Sequence, residues 1–244
     1  MGSGTLLSIR GIDGILTAAH VWDDILKRKT NESLYEVGLL QFPVRSTQAQ
    51  RLRLRLDHVE ALMIGSPPFD TESGPDLAFV RLPIATANAL KADSSFANFD
   101  KQSASAFSEI PDGVKSHDAV VGVVACWLSD TIDDGKLIIT PIQALHNVGT
   151  AKSISPSGGF DRLQFNPLPE ADFKLPKSYG GTSGGGLWRA LTNDENVYFE
   201  KRLLGVAFYE RQNDDGTLVV ICHGPQSTYV ELAKRIRAHW GQDI

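Results

Sequence analysis

The chain has 244 residues, 42% of them hydrophobic, and a formal net charge of −5, which is enough apolar material for one large domain or two small ones. That charge gives no overall field to draw in nucleic acid or an anionic membrane surface. The N-terminus lacks a basic start followed by an apolar run and a small-residue cleavage site, and no segment reaches 18 uninterrupted apolar residues, so a soluble, cytoplasmic protein is expected.

Residues 5 to 19 alternate and turn like a hairpin: Leu6-Leu7-Ser8-Ile9, a turn over Gly11 to Gly14, then Ile15-Leu16-Thr17 with His20 at the strand end. Val21 to Lys29 reads as a short helical turn with Trp22, Ile25 and Leu26 inward. Leu34 to Val44 and Arg51 to Ile64 read as strands. In Arg51-Leu52-Arg53-Leu54-Arg55-Leu56 the period of two sends leucines to a core and arginines outward, a solvated face rather than a bed for an acidic substrate. The Pro- and Gly-rich stretch from Gly65 to Pro75 is irregular and delivers Asp76 at the start of the apolar run Leu77 to Leu82; Asp70 and Glu72 within it are read as solvated.

Ala85 to Ser116 turns polar and mixed, the expected connection between two halves. Strands resume with Val120 to Trp127, Leu137 to Val148 and Arg162 to Phe165, and again at Leu203 to Tyr209 and Leu218 to Cys222, joined by an Asp-Gly turn at Asp215-Gly216. Ser227 to Trp240 is the strongest helical pattern, with Ser227 as N-cap and Tyr229, Ala233, Ile236 and Trp240 on one face. Short strands punctuated by turns predict an all-β fold. Cys126 and Cys222 sit in apolar runs, which fits buried thiols in a reducing compartment better than a secreted disulfide framework; a bridge between them stays open.

Three stretches carry chemistry. Gly180-Gly181-Thr182-Ser183-Gly184-Gly185-Gly186 can expose a hydroxyl on a tight turn while backbone N–H groups converge where a carbonyl oxygen becomes negative. Thr17-Ala18-Ala19-His20 and Asp76-Leu77-Ala78 place a base and a carboxylate at strand ends. In these three segments, with supporting likeness at Gly4-Thr5-Leu6-Leu7 and Leu203-Leu204-Gly205-Val206, the chain resembles the trypsin/chymotrypsin-like serine peptidases, which also serve as the general template for the triad.

The resemblance implies two six-stranded antiparallel β-barrels and a C-terminal helix packed on the second. The N-terminal barrel, residues 1–100, would carry His20 and Asp76 and lack its first strand; 101–117 would link it to a C-terminal barrel, 118–244, carrying Ser183. It implies a serine endopeptidase with His20, Asp76 and Ser183 as the triad, Gly181 and Ser183 as the oxyanion hole, and a substrate pocket walled by Lys177, Phe208, Tyr209 and Glu210. The substrate would be a protein or peptide, and a further segment, or a regulatory partner protein, would cover the open edge of the N-terminal barrel. Thr182 stands where zymogen-activated members have an aspartate, so no activation by N-terminal cleavage is expected. No cofactor or metal motif is present. Two other readings compete: a peptidase fold kept as a silent or partner-activated binding module, and an α/β-hydrolase esterase in which Ser183 sits on a nucleophile elbow, with Asp194 and His223 following it.

Overall fold

A computed structural model describes residues 2–33, 35–41, 50–65, 69, 74–125, 142–169, 175–195 and 197–241 and is rich in β-strand, with four α-helices. Cys126, Trp127, the strand expected at 137–140, and Asp70 and Glu72 lie outside the described residues.

The first half opens on the hairpin β1 (Thr5–Ile9) and β2 (Ile12–Thr17), in register from Thr5↔Leu16 to Ile9↔Ile12. Its turn is Arg10 and Gly11, with φ of 44° and 88°, the primed geometry that suits strand twist. The turn is tighter than expected because Ile12 and Gly14 stay in the ladder. Alternation buries Leu7, Ile9 and Leu16. Helix α1 (Ala19–Asn31) follows at once, with Trp22 buried and Ile25 and Leu26 packed beside it, the expected inward face.

Strands β3 (Glu36–Gln41) and β4 (Gln50–Arg55) form a separate two-stranded sheet. The continuous strand expected from Arg51 to Ile64 is interrupted, since a 3₁₀ turn at Leu56–His58 passes the chain to β5 (Glu60–Ile64) in another sheet. Leu54 and Leu56 are buried, and the arginines meet carboxylates at the surface, Arg53 at 3.6 Å from Glu36 and Arg55 at 2.7 Å from Asp57.

Next come β6 (Leu77–Arg81), α2 (Ile84–Asp93), β7 (Ala97–Asn98) and α3 (Phe99–Ala106). The main sheet of this half runs β5-β6-β2-β1-β7, antiparallel except for β1 with β7. Among the described residues it forms an open sheet and does not close, so the expected six-stranded barrel is not shown for this half. Strand β7 and helix α3, from the same chain, lie on the outer edge of β1. The expected linker 101–117 is therefore largely structured: Asn98 caps α3 by accepting the Lys101 N–H, and buried Gln102 accepts the Leu203 N–H at 2.7 Å.

The second half does close. Strands β8 (Lys115–Ala125), β9 (Ile142–Ser157), β10 (Phe160–Pro167), β11 (Gly186–Thr192), β12 (Tyr198–Gln212) and β13 (Leu218–His223) pair antiparallel in the ring β8-β9-β10-β13-β12-β11. A π-helical stretch, Gln226–Leu232, then leads into α4 (Ala233–Trp240).

Tyr229, Ala233, Ile236 and Trp240 are buried as the periodicity required. Ser227, however, is not the cap. The Asp161 carboxylate on β10 accepts the Gln226 and Ser227 N–H groups and the Ser227 hydroxyl, so a side chain 66 residues away satisfies the helix start. The helix also reaches beyond the second barrel: Ile236 and Trp240 share a core cluster with Ile64, Leu77 and Phe79, and Trp240 donates to Glu60 at 2.8 Å. One apolar core thus joins the two halves.

Candidate active site

Asp76 is fully buried at the mouth of β6. Its carboxylate takes two donors from one residue, the His20 backbone N–H at 2.8 Å and His20 Nδ1 at 2.5 Å. Helix α1 begins here, and its N-cap residue Ala18 offers no side-chain cap. Asp76 supplies that cap from outside, and the positive end of the helix favours its charge. A carboxylate can only accept, so the His20 proton resides on Nδ1 and Nε2 keeps its lone pair. The imidazole is 36% exposed and can meet a substrate.

The serine lies on a turn between loop 175–185 and β11. Gly181 and Gly184 adopt φ of 94° and 90°, conformations that suit glycine. A Cβ on Gly184 would lie 2.1 Å from Ser3 O and 2.2 Å from Thr17 Oγ1, so the turn is pressed against the end of β2. Backbone bonds fix it on both sides: Ser3 N–H donates to Ser183 O at 2.8 Å, Gly184 N–H to Ala207 O at 2.7 Å, and Gly185 N–H to Thr182 O at 2.7 Å. Thr17, three residues before His20, donates its hydroxyl to Ser3 O at 2.7 Å. The N–H groups of Gly181 and Ser183 have no acceptor among the described residues.

Ser183 and His20 are not hydrogen-bonded to each other. The Ser183 hydroxyl donates to Phe208 O at 3.4 Å. Phe208 sits at a bulge in β12, where the pairing with β13 skips from Ala207↔Cys222 to Tyr209↔Ile221, and bulges redirect side chains beside sites. Its ring turns inward and stacks on His223, with centroids 4.2 Å apart and planes 17° apart. His223 Nε2 in turn accepts the Asp76 N–H at 3.1 Å. Asp76 and Ser183 are thus connected through His223 and Phe208, while Ser3 ties Ser183 to Thr17 at the end of β2.

His223 is fully buried. With Nε2 accepting, its proton lies on Nδ1, which has no partner among the described residues. Burial pushes its pKa from the ordinary 6.5 down to about 4, against the opposing pull of Asp76 and Asp161. It is neutral at physiological pH.

The expected pocket residues separate in role. Lys177 is exposed, while Glu210 is half-buried and its carboxylate accepts the Tyr179 N–H and, at 3.3 Å, the Ser178 hydroxyl. The two do not form an ion pair. Tyr209 is half-buried beside Ala18. Phe208 contributes its carbonyl, not its ring, to the serine side. Tyr179 is buried, its hydroxyl accepts from Asn147 at 2.8 Å, and burial raises its pKa to about 12.

The nucleophile-elbow reading does not survive this arrangement. An elbow requires a helix directly behind the serine and a mainly parallel sheet, whereas here strand β11 follows and every described barrel pairing is antiparallel. Asp194 is exposed in a turn and His223 is committed to Asp76. No protein-family model matches the chain, and neither does any curated protein.

Proposed function

We propose that the chain is a serine endopeptidase of the chymotrypsin-like type, with the closed six-stranded barrel as its second barrel and the open sheet as a reduced form of the first. The observation that carries this reading is the buried Asp76 gripping both the backbone and Nδ1 of His20, which leaves Nε2 as a ready base.

In the reaction, Ser183 Oγ attacks the scissile carbonyl carbon and its proton passes to His20 Nε2. Asp76 stabilises the resulting imidazolium without taking the proton. The Gly181 and Ser183 N–H groups bind the oxyanion, a contribution of about 3 to 4 kcal/mol per donor in comparable sites. As the C–N bond breaks, His20 returns the proton to the leaving amine; water then repeats the sequence on the acyl-enzyme and releases the acid.

Thr182 supports a form that needs no cleavage to mature. It is buried and donates its hydroxyl to Val123 O at 3.2 Å, so the position before the serine is satisfied without a charged amine. The half-buried Glu210 favours a basic substrate side chain in the adjoining pocket.

A fluorophosphonate probe tests the reading. It is expected to modify Ser183 in the native protein, to leave Ser183→Ala unlabelled, and to label His20→Ala far more slowly. Equal labelling of His20→Ala and native protein would rule the triad out. The second reading, a silent or partner-activated binding module, is favoured by one observation, the Ser183 hydroxyl directed to Phe208 O and not to His20. It predicts an inert native protein.

A further inference from the structure

Strand β11 pairs with β8 only as far as Gly186↔Val121. Beyond that point the chain swings away into the serine turn, and the next outward-facing residue of β8, Val123, would be left with unpaired backbone groups. Two side-chain hydroxyls fill the gap. Ser3 Oγ accepts the Val123 N–H at 2.9 Å, and Thr182 Oγ1 donates to Val123 O at 3.2 Å.

The Ser3 hydroxyl then uses its single proton on Gly181 O, at 2.7 Å. The other end of the same peptide group is also held, because Thr182 N–H donates to Tyr179 O at 2.9 Å. This peptide, 181–182, stands between the Gly181 and Ser183 N–H groups, which have no acceptor among the described residues. The Ser3 backbone adds a third contact through its N–H to Ser183 O at 2.8 Å. With its carbonyl accepting from Thr17 Oγ1 at 2.7 Å, Ser3 uses every hydrogen-bonding group it has on the serine turn, β8 and the strand leading to His20.

From this placement we infer that Ser3 is a positioning residue that sets the oxyanion site. Its hydroxyl fixes the plane of the 181–182 peptide, so the flanking Gly181 and Ser183 amides are held toward the incoming carbonyl before substrate arrives. Preorganised donors of this kind stabilise developing charge without reorganising during the reaction. The inference rests on the peptidase reading for its chemistry and on the hydrogen bonds alone for the ordering of the loop.

Gly122 allows the arrangement. A Cβ there would lie 2.9 Å from Ser3 Oγ and 3.3 Å from Thr182 Cγ2. Gly122→Ala therefore disturbs the same hydroxyl from the opposite side, without touching Ser3 itself.

The test uses the full chain with Ser3→Ala and Gly122→Ala, each corrected for its folded fraction. With a fluorophosphonate, the limiting rate kinact is expected to fall about 10- to 100-fold in both variants, less than or near the loss on removing one oxyanion donor outright. KI and the pH midpoint of the reaction are expected to stay at native values. Amide hydrogen exchange over 180–185 should quicken in both variants while that of 233–240 does not.

Unchanged kinact in folded Ser3→Ala would overturn the inference, as would a loss carried by KI alone. Should the native protein fail to label, the peptidase reading fails, and exchange still decides the positioning role: faster exchange at 180–185 sustains it, unchanged exchange overturns it.

Discussion

The open sheet of the first half and the closed barrel of the second prepare their reactive groups in opposite ways. In the first half, the base and the acid are locked to each other by two bonds between Asp76 and His20 that also start helix α1, so folding the local structure is enough to set the imidazole. In the second half the serine turn is held from two sides. Bonds within the loop and to the barrel include Thr182 N–H to Tyr179 O, Gly185 N–H to Thr182 O and Gly184 N–H to Ala207 O, and Ser3 from the other half ties down Gly181, Ser183 and Val123. The closed barrel supplies a rigid frame, and its loop is held by that frame and by the first half together. A serine on a turn can thus depend on a neighbouring sheet as well as on the element that carries it.

The most forceful way to break the comparison is Ser183→Ala. It should abolish turnover of a peptide substrate by about 10⁶-fold while leaving the melting temperature within a degree or two, since the hydroxyl makes one long bond; a large drop in stability would show that the serine turn is structurally integral to the barrel.

Asp76→Asn strikes the other half. An amide can present its N–H₂ to Nδ1, which would then have to accept and place the proton on Nε2, so kcat should fall about 10⁴-fold. Activity near native at neutral pH would mean the carboxylate merely caps the helix.

The two halves also meet at His223, and acid weakens that contact. Its folded pKa lies near 4, below the ordinary 6.5, so between these values the unfolded chain binds the extra proton. The contribution is fully present above about pH 6.5 and is lost as pH falls through about 4, in total on the order of 3 kcal/mol. Urea unfolding at pH 7.5 and 4.5 should show a smaller pH difference in His223→Gln than in the native protein. An identical difference in both would remove His223 as the acid-sensitive group.

Asp161→Ala is expected to have the smallest effect, about 1 to 2 kcal/mol, through loss of the bonds that start the terminal helical segment. Calorimetry should show it as a lower melting temperature with fluorophosphonate labelling intact.

Sequence alone singled out His20 at the end of one apolar run, Asp76 at the start of another and Ser183 on a glycine-rich turn, all local properties; the structure joins His20 to Asp76 and directs the Ser183 hydroxyl to Phe208 O. The buried face of the last helix was legible too, through the spacing of Tyr229, Ala233, Ile236 and Trp240. What sequence missed depends on partners far along the chain. Ser3 is a serine between two glycines, with no local mark of its contacts to residues 123, 181 and 183. His223 ends an apolar run, and nothing nearby tells that its ring lies under Phe208 and against the Asp76 amide.

The break between β4 and β5 was hidden because Leu56 continues the alternation of the arginine-leucine run even as the backbone turns. Helix α3 had a readable signal, with Asn98 as cap and Phe99, Gln102 and Ala106 spaced for one face. Its many small polar residues masked it as a loop. The open form of the first sheet, in contrast, could not be read from strand count, since closure is a matter of which edges meet.

The shared core has a consequence for how the molecule comes into being. Ile236 and Trp240, which share a core cluster with Ile64 of β5 and Phe79 of β6, leave the ribosome long after those strands. Until they arrive, the early sheet exposes an apolar face that a chaperone would recognise, and the groups around Ser183 have no settled neighbour. Under the proposed peptidase reading, a nascent chain would therefore be unable to cut the proteins around it, and competence would come in a single late step of synthesis.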